Sequence, residues 1–205
     1  MHILLTRHGD VEGIHPERFR GRVELELTAL GRRQAQAAAQ RIASEFTPQA
    51  VYTSPMGRCR ETASEIAAAC GLSAQVLPGL DDLDYGDWQW KTHEEVQASQ
   101  PQAYALWKSA PQWVRFPGGE SLQDLALRVA DGLRGLLHRH ADHTVVLVGH
   151  DSVNRALLLQ ALDLPLSAYW RIQQKPCCLN RVEITPQGGV SLHLVNDVAH
   201  LRGVT

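Results

Sequence analysis

Hydrophobic and polar positions along the chain alternate between two periods, short strand-like runs and longer stretches at helical spacing. Residues 2–6 (His-Ile-Leu-Leu-Thr) read as a short buried strand that stops at Arg7-His8-Gly9. Behind Thr28, a residue type that favours helix N-caps, Ala35, Ala38, Ala39, Ile42 and Phe46 recur at helical spacing to about residue 46. Residues 50–53 predict a second strand. Ser54-Pro55 predicts a helix opening with proline inside its first turn, and Gly71 predicts its end. Residues 74–77 read as a third strand, ended by Pro78-Gly79. Ser121 should cap a long helix over about 122–140. Thr144 to Val148 is the clearest buried strand; it runs into Gly149-His150-Asp151 and a helix over 152–162. Residues 179–185 and 190–195, separated by Gly188-Gly189, alternate as a terminal hairpin.

Strands alternating with helices imply an α/β fold, a three-layer sandwich with a mostly parallel central sheet and helices on both faces. The expected organisation is a single domain over 1–205. Residues 80–120 are least regular; they hold Trp88, Trp90, Trp107 and Trp113 together with Pro101, Pro111 and Pro117, and predict one or two short helices in a lid-like excursion over the sheet. The excursion is expected to cover a pocket, with Arg115 and Phe116 alongside the tryptophans.

At 205 residues the chain can bury roughly 70–75% of its unfolded surface, so a core needs no disulfide or metal staple. Twenty basic and twenty-two acidic side chains give a net charge of -2, which argues against nucleic acid or an anionic membrane as partner. Seventeen of the basic residues are Arg, whose planar donor forks suit phosphate and carboxylate. Four cysteines without a C-x-x-C pair read as reduced thiols, and no apolar run approaches the ~18 residues of a spanning helix. The expected location is the cytoplasm, with a homodimer as the default assembly.

In an open α/β sheet, ligands bind beyond the carboxyl ends of strands, beside helix N-termini. Three such ends carry notable residues: Arg7-His8-Gly9, Ser54-Pro55 with Arg58 one turn on, and Gly149-His150. Two histidines and two arginines converging on one rim suit a dianion, with phosphate the obvious candidate. Taken singly, Arg58 reads more readily as a solvated helix arginine, and His150 equally as a loop histidine capping a helix. Joint placement at strand ends favours the site.

Thr6-Arg7-His8-Gly9 resembles the signature of the histidine phosphatase superfamily, branch 1, the phosphoglycerate mutase-like branch that also holds α-ribazole phosphatases. Arg18-Phe19-Arg20-Gly21, the run from Leu27 to Gly31, and the segment from Ser54 to Ala63 follow in that family's order. Pro117-Gly118-Gly119-Glu120-Ser121 and Val195 to Leu201 look more like its small phosphatases than its mutases. The resemblance implies a phosphoglycerate mutase-like fold and hydrolysis of a small-molecule phosphomonoester, with no cofactor and no metal. It implies His8 as the nucleophile that becomes phosphohistidine, and Arg7, Arg58 and His150 as holders of the phosphoryl oxygens. Gly9 would let the backbone turn closely beneath the phosphate. The register of Leu80 to Trp88 places Asp82 where the family usually has Glu, as proton donor, with Asp81 and Asp84 as further candidates. Ile14 stands where the family has an Asn; Arg18 is the expected compensating substrate contact. Arg20 and Arg22 are further candidates for a second anionic group. Asp151 stands where many relatives have Gly, to orient His150 or cap the following helix.

Other readings remain open. Phosphoryl transfer of the mutase kind uses the same pocket, and a phosphate-binding module would keep it without turnover. The carboxylates at 81, 82, 84 and 87 invite a metal but lack calcium-loop spacing. His138, His140 and His143 invite zinc, although the end of a helix suits them through its dipole. Gly149 to Val153 lacks the spacing of a serine hydrolase elbow.

Overall fold

Period-two alternation in the central strands sorts their side chains onto two faces, and each face meets a different pair of helices. The computed structural model describes residues 1–204. Its six strands are β1 (His2–Arg7), β2 (Ala50–Thr53), β3 (Ala74–Val76), β4 (Thr144–Gly149), β5 (Leu179–Ile184) and β6 (Val190–Asp197), in the spatial order β3-β2-β4-β1-β5-β6. The first four run parallel; β5 and β6 join antiparallel as the terminal hairpin.

Leu4, Val51, Val146 and Val148 point to one face and pack on Ala39 and Ile42 of α1 (Ala29–Glu45) and on Cys59, Ala63 and Ile66 of α2 (Gly57–Ala69). Ile3, Leu5, Val145 and Leu147 point to the other. There they pack in the core that includes Leu125 and Val129 of α5 (Leu122–Arg139) and Val153, Ala156 and Leu157 of α6 (Asp151–Ala161). This is the three-layer arrangement the alternation predicts.

Between β3 and α5 the chain forms short 3-10 turns and two helices, α3 (His93–Ser99) and α4 (Pro101–Ser109). Thr92 and Glu95 close a capping box on α3, and Pro101 sits at the first position of α4. Trp88 and Trp107 are fully buried with Phe116, edge to face, as core. Trp113 is 73% exposed, and Arg115 turns away to Asp124. Of the four tryptophans only Trp107 reaches a cavity wall near the strand ends; the excursion lines those cavities chiefly through Asp82, Tyr85, His93 and Lys108. The helix expected to open at Ser54-Pro55 begins instead at Gly57, because the Ser54 amide still bonds to the Val148 carbonyl and holds the chain extended. Among the described residues no helix is long and apolar enough to cross a membrane.

Candidate active site

Strand register brings the candidate residues together. Arg7 of β1 lies opposite Gly149 of β4, so His8 and His150, each one residue further, emerge side by side with ring centroids 5.3 Å apart. Thr53 of β2 pairs with Val148, which places Ser54 beside His150 and delivers Arg58 from the first turn of α2 to both histidines. The close turn at Gly9 depends on the missing side chain: a Cβ there would stand 2.4 Å from the Gly31 carbonyl oxygen in the first turn of α1. Gly9 therefore lets the loop after β1 press against α1, while its own amide bonds to Thr62 Oγ1.

His8 is buried, and its Nδ1 lies 2.7 Å from the Gly9 carbonyl oxygen. A carbonyl can only accept, so Nδ1 carries the proton and Nε2 keeps its lone pair. Arg58 Nε donates to that Nε2 at 3.2 Å. The Arg58 head is fixed by the Gly21 and Val23 carbonyls, and its Nη2 also reaches Asp82 Oδ2 at 3.1 Å. His150 Nδ1 lies 3.3 Å from both Arg58 Nη2 and Asp82 Oδ2, while its Nε2 meets Ser54 Oγ at 2.8 Å. Asp82 Oδ1 accepts from Ser152 Oγ and from the Leu83 amide. Burial first, and then the charges of Arg58 and Arg7, hold both histidines well below their usual range. Neutral His8 is the form that can attack phosphorus.

Arg7 donates through Nη1 to the Gln174 carbonyl, and its buried Nε has no partner. Such an orphaned donor fits an oxyanion site. His8, Arg58, Asp82 and His150 thus form one contact cluster, with Arg7 entering beside it. Asp81 and Asp84 are turned outward: both face Arg22, and Asp84 also caps the Gly86 amide. Arg18 touches the inner cavity, but its head donates to the Trp90 carbonyl and stacks over that ring. Ile14 is buried in the outer wall. Asp151 accepts from Arg155 Nε at 2.9 Å, one turn along α6. His140 contacts Tyr52 and His143, and among the described residues no group of three or more His, Cys, Asp or Glu side chains could hold a metal.

The cluster opens through a small cavity of about 60 Å³, lined by His8, Asp82, Arg20 and Ser152. Beyond it lies a larger one of about 850 Å³, in which Arg7, Lys108, Lys175 and Arg202 meet Glu17 and Asp151. Arg20, His93, Arg155 and Trp170 line both. Sequence reasoning did not single out Ser54 as a partner of His150, Ser152 as a partner of Asp82, or Arg155 and Trp170 as wall. Ser54 stands one residue and Ser152 three residues beyond a strand end, but nothing local to either serine names its partner. Arg155 and Trp170 meet only through tertiary packing.

The chain is similar to known proteins along nearly its whole length. The family model described as the histidine phosphatase superfamily (branch 1) matches residues 3–197. Phosphoserine phosphatase 1 of Hydrogenobacter thermophilus is 33% identical over 97% of this chain and 93% of its own. Among solved structures, Bacillus stearothermophilus YhfR superposes with a TM-score of 0.90 at 27% identity, covering 98% of both chains. Mycobacterial glucosyl-3-phosphoglycerate phosphatase superposes at 0.86 with 26% identity, covering 96% of this chain and 99% of its own.

Proposed function

The chain belongs to branch 1 of the histidine phosphatase superfamily, and from that premise we propose that this phosphatase hydrolyses small phosphomonoesters through a phosphohistidine at His8, without a metal. The observation that carries the reading is the His8–Arg58–Asp82–His150 cluster, in which His8 Nδ1 is tied to a carbonyl and Nε2 faces the Arg58 guanidinium.

A phosphate dianion entering the cluster takes Arg58 from its contact with His8 and places its non-bridging oxygens against Arg7, Arg58 and His150. Fixed cationic and ring N–H donors there stabilise the charge spread over those oxygens in a loose transition state. His8 Nε2 forms the bond to phosphorus as the ester oxygen leaves. Asp82 supplies the proton to that oxygen, since its carboxyl group stands in the inner cavity against Arg58 and His150. The resulting carboxylate then takes a proton from water, whose oxygen attacks phosphohistidine, releases inorganic phosphate and restores neutral His8. Similarity to a phosphoserine phosphatase and a glucosyl-3-phosphoglycerate phosphatase supports small phosphorylated metabolites as substrates.

The test is release of inorganic phosphate from 4-nitrophenyl phosphate in excess EDTA, parent against His8→Ala. Activity in the parent should survive the chelator and fall by at least about 10³-fold in the variant, the scale of losing a covalent nucleophile. Activity abolished by EDTA, or retained in His8→Ala, would overturn the mechanism. Label passing from one substrate hydroxyl to another, with no inorganic phosphate released, would replace hydrolysis by transfer.

A further inference from the structure

Ser152 carries a buried hydroxyl that its own helix does not use. It stands in the first turn of α6, just beyond His150, and no side chain caps that helix. A serine inside a helix usually turns its hydroxyl to solvent or back to a carbonyl one turn earlier. Ser152 does neither among the described residues. Its Oγ donates to Asp82 Oδ1 at 2.5 Å, within the range of a charge-assisted hydrogen bond, and accepts a longer contact from the Leu83 amide at 3.4 Å. The residue lines the small cavity together with His8 and Asp82.

The two oxygens of Asp82 are occupied differently. Oδ1 accepts from Ser152 Oγ and from the Leu83 amide at 2.8 Å, which uses both of its lone pairs. Oδ2 faces Arg58 Nη2 at 3.1 Å and His150 Nδ1 at 3.3 Å, two of the groups that take phosphoryl oxygens in the proposed reaction. An oxygen whose lone pairs both accept cannot also carry a proton, so the acid form of Asp82 holds its proton on Oδ2. Leu83 belongs to the same irregular segment as Asp82. Ser152 is therefore the one Oδ1 donor, among the described residues, that comes from another element. It ties a short carboxyl group to the helix that begins beside His150. Proton delivery to a leaving oxygen requires such a fixed distance between the acid and the groups that hold phosphate.

We propose that Ser152 is a positioning residue for the leaving-group proton: it locks Asp82 Oδ1, so that Oδ2 delivers the proton to the ester oxygen. In that step the Oδ2–H bond breaks as the O–H bond of the alcohol forms. The electron pair of the phosphorus–oxygen bond stays on the departing oxygen, and Asp82 is left as a carboxylate that Ser152 still holds. The role rests on the phosphatase reading above and adds how its acid is held; Ser152 itself exchanges no proton with the substrate.

The test compares kcat/KM of the parent, Ser152→Ala and Ser152→Thr on 4-nitrophenyl phosphate, phenyl phosphate and O-phosphoserine, whose leaving groups depend increasingly on a proton. This parameter covers the steps up to release of the alcohol, so the later attack of water does not enter it. In Ser152→Ala the loss should grow along the series, from less than about 3-fold with the nitrophenyl ester to roughly 10-fold or more with O-phosphoserine, a part of what general acid catalysis supplies. Ser152→Thr, which keeps the hydroxyl, should return the series towards that of the parent. Ratios between substrates are taken within one preparation, so partial misfolding cancels, and the Ser152→Ala ratios decide alone if the added methyl of the Thr variant is not accommodated. Equal losses on all three substrates in Ser152→Ala mark a packing role and overturn the proposal, as does a series unchanged from the parent. A parent that cleaves 4-nitrophenyl phosphate but neither other ester has no working acid for Ser152 to hold; that result overturns the proposal and leaves the phosphohistidine reading intact. Phosphate released from none of the three overturns the phosphatase reading itself.

Discussion

His8 and His150 are buried within a field of arginines, and that surrounding decides how they titrate. Both are held well below the usual histidine range, by desolvation first and then by Arg58 and Arg7. Unfolded, each would titrate near 6.5. The folded state therefore binds fewer protons than the unfolded state below that value. Stability contributed by the neutral rings is complete above about pH 6.5 and is lost as pH falls from there towards their lower folded values. Urea melts between pH 7.5 and 5 should show stability falling by up to about 1.4 kcal/mol per pH unit for each histidine, with a shallower fall in His8→Asn. An unchanged slope in that variant would remove His8 from the account. Motif alone singled out His8, Arg58, Asp82 and His150, because each follows a strand end or a loop signature in the chain. Ser54 and Ser152 were invisible as partners, since a serine hydroxyl gains meaning only from what the fold puts within 3 Å of it.

Elements position what residues perform. Asp82 sits in irregular backbone after β3, yet that segment is held at several points: Arg128 of α5 donates to the carbonyls of Gly79, Asp81 and Asp82 and pairs with Glu120, while Arg22 reaches the Asp82 carbonyl and Glu120. The segment is therefore a fixed arm for its carboxyl group. Arg128→Met keeps much of the side-chain volume and removes those hydrogen bonds. If Asp82 delivers the proton to the leaving oxygen, the variant should lose about 10-fold or more with alkyl phosphates, whose alkoxide needs that proton, and much less with 4-nitrophenyl phosphate, whose phenolate leaves without it. Equal losses on both substrates would mark a general packing defect instead. The Pro-Gly-Gly-Glu-Ser run was legible as a motif, but the clamp between Glu120 and Arg128 was not. It spans eight residues in sequence and closes on a third segment, which no local period reports.

At the scale of the molecule, the parallel strands carry the candidate site at their common carboxyl edge and the excursion supplies part of the outer wall, with His93 from α3 and Lys108 from α4. A ligand that binds only the folded state stabilises it by mass action. Inorganic phosphate at about a hundred times its dissociation constant should add ~2.7 kcal/mol, on the order of a 5–10 °C rise in Tm for a chain of this size. A Tm that phosphate does not move, while sulfate and chloride at equal ionic strength leave it likewise unchanged, would argue that the cluster does not hold the dianion. Period and punctuation by themselves determined the strands, the long helices, the two-faced burial and which residues stand at the strand ends, because each of these is encoded within a few neighbouring positions. Only the tertiary structure decided that Arg20 rather than Arg18 or Arg22 lines both cavities, that Trp170 and Arg155 form the wall while Trp88 is core, and that Asp82 faces Arg58 while Asp81 and Asp84 turn outward. Those outcomes depend on contacts between segments far apart in the chain, where charge pairing and packing, not local propensity, choose among chemically similar residues.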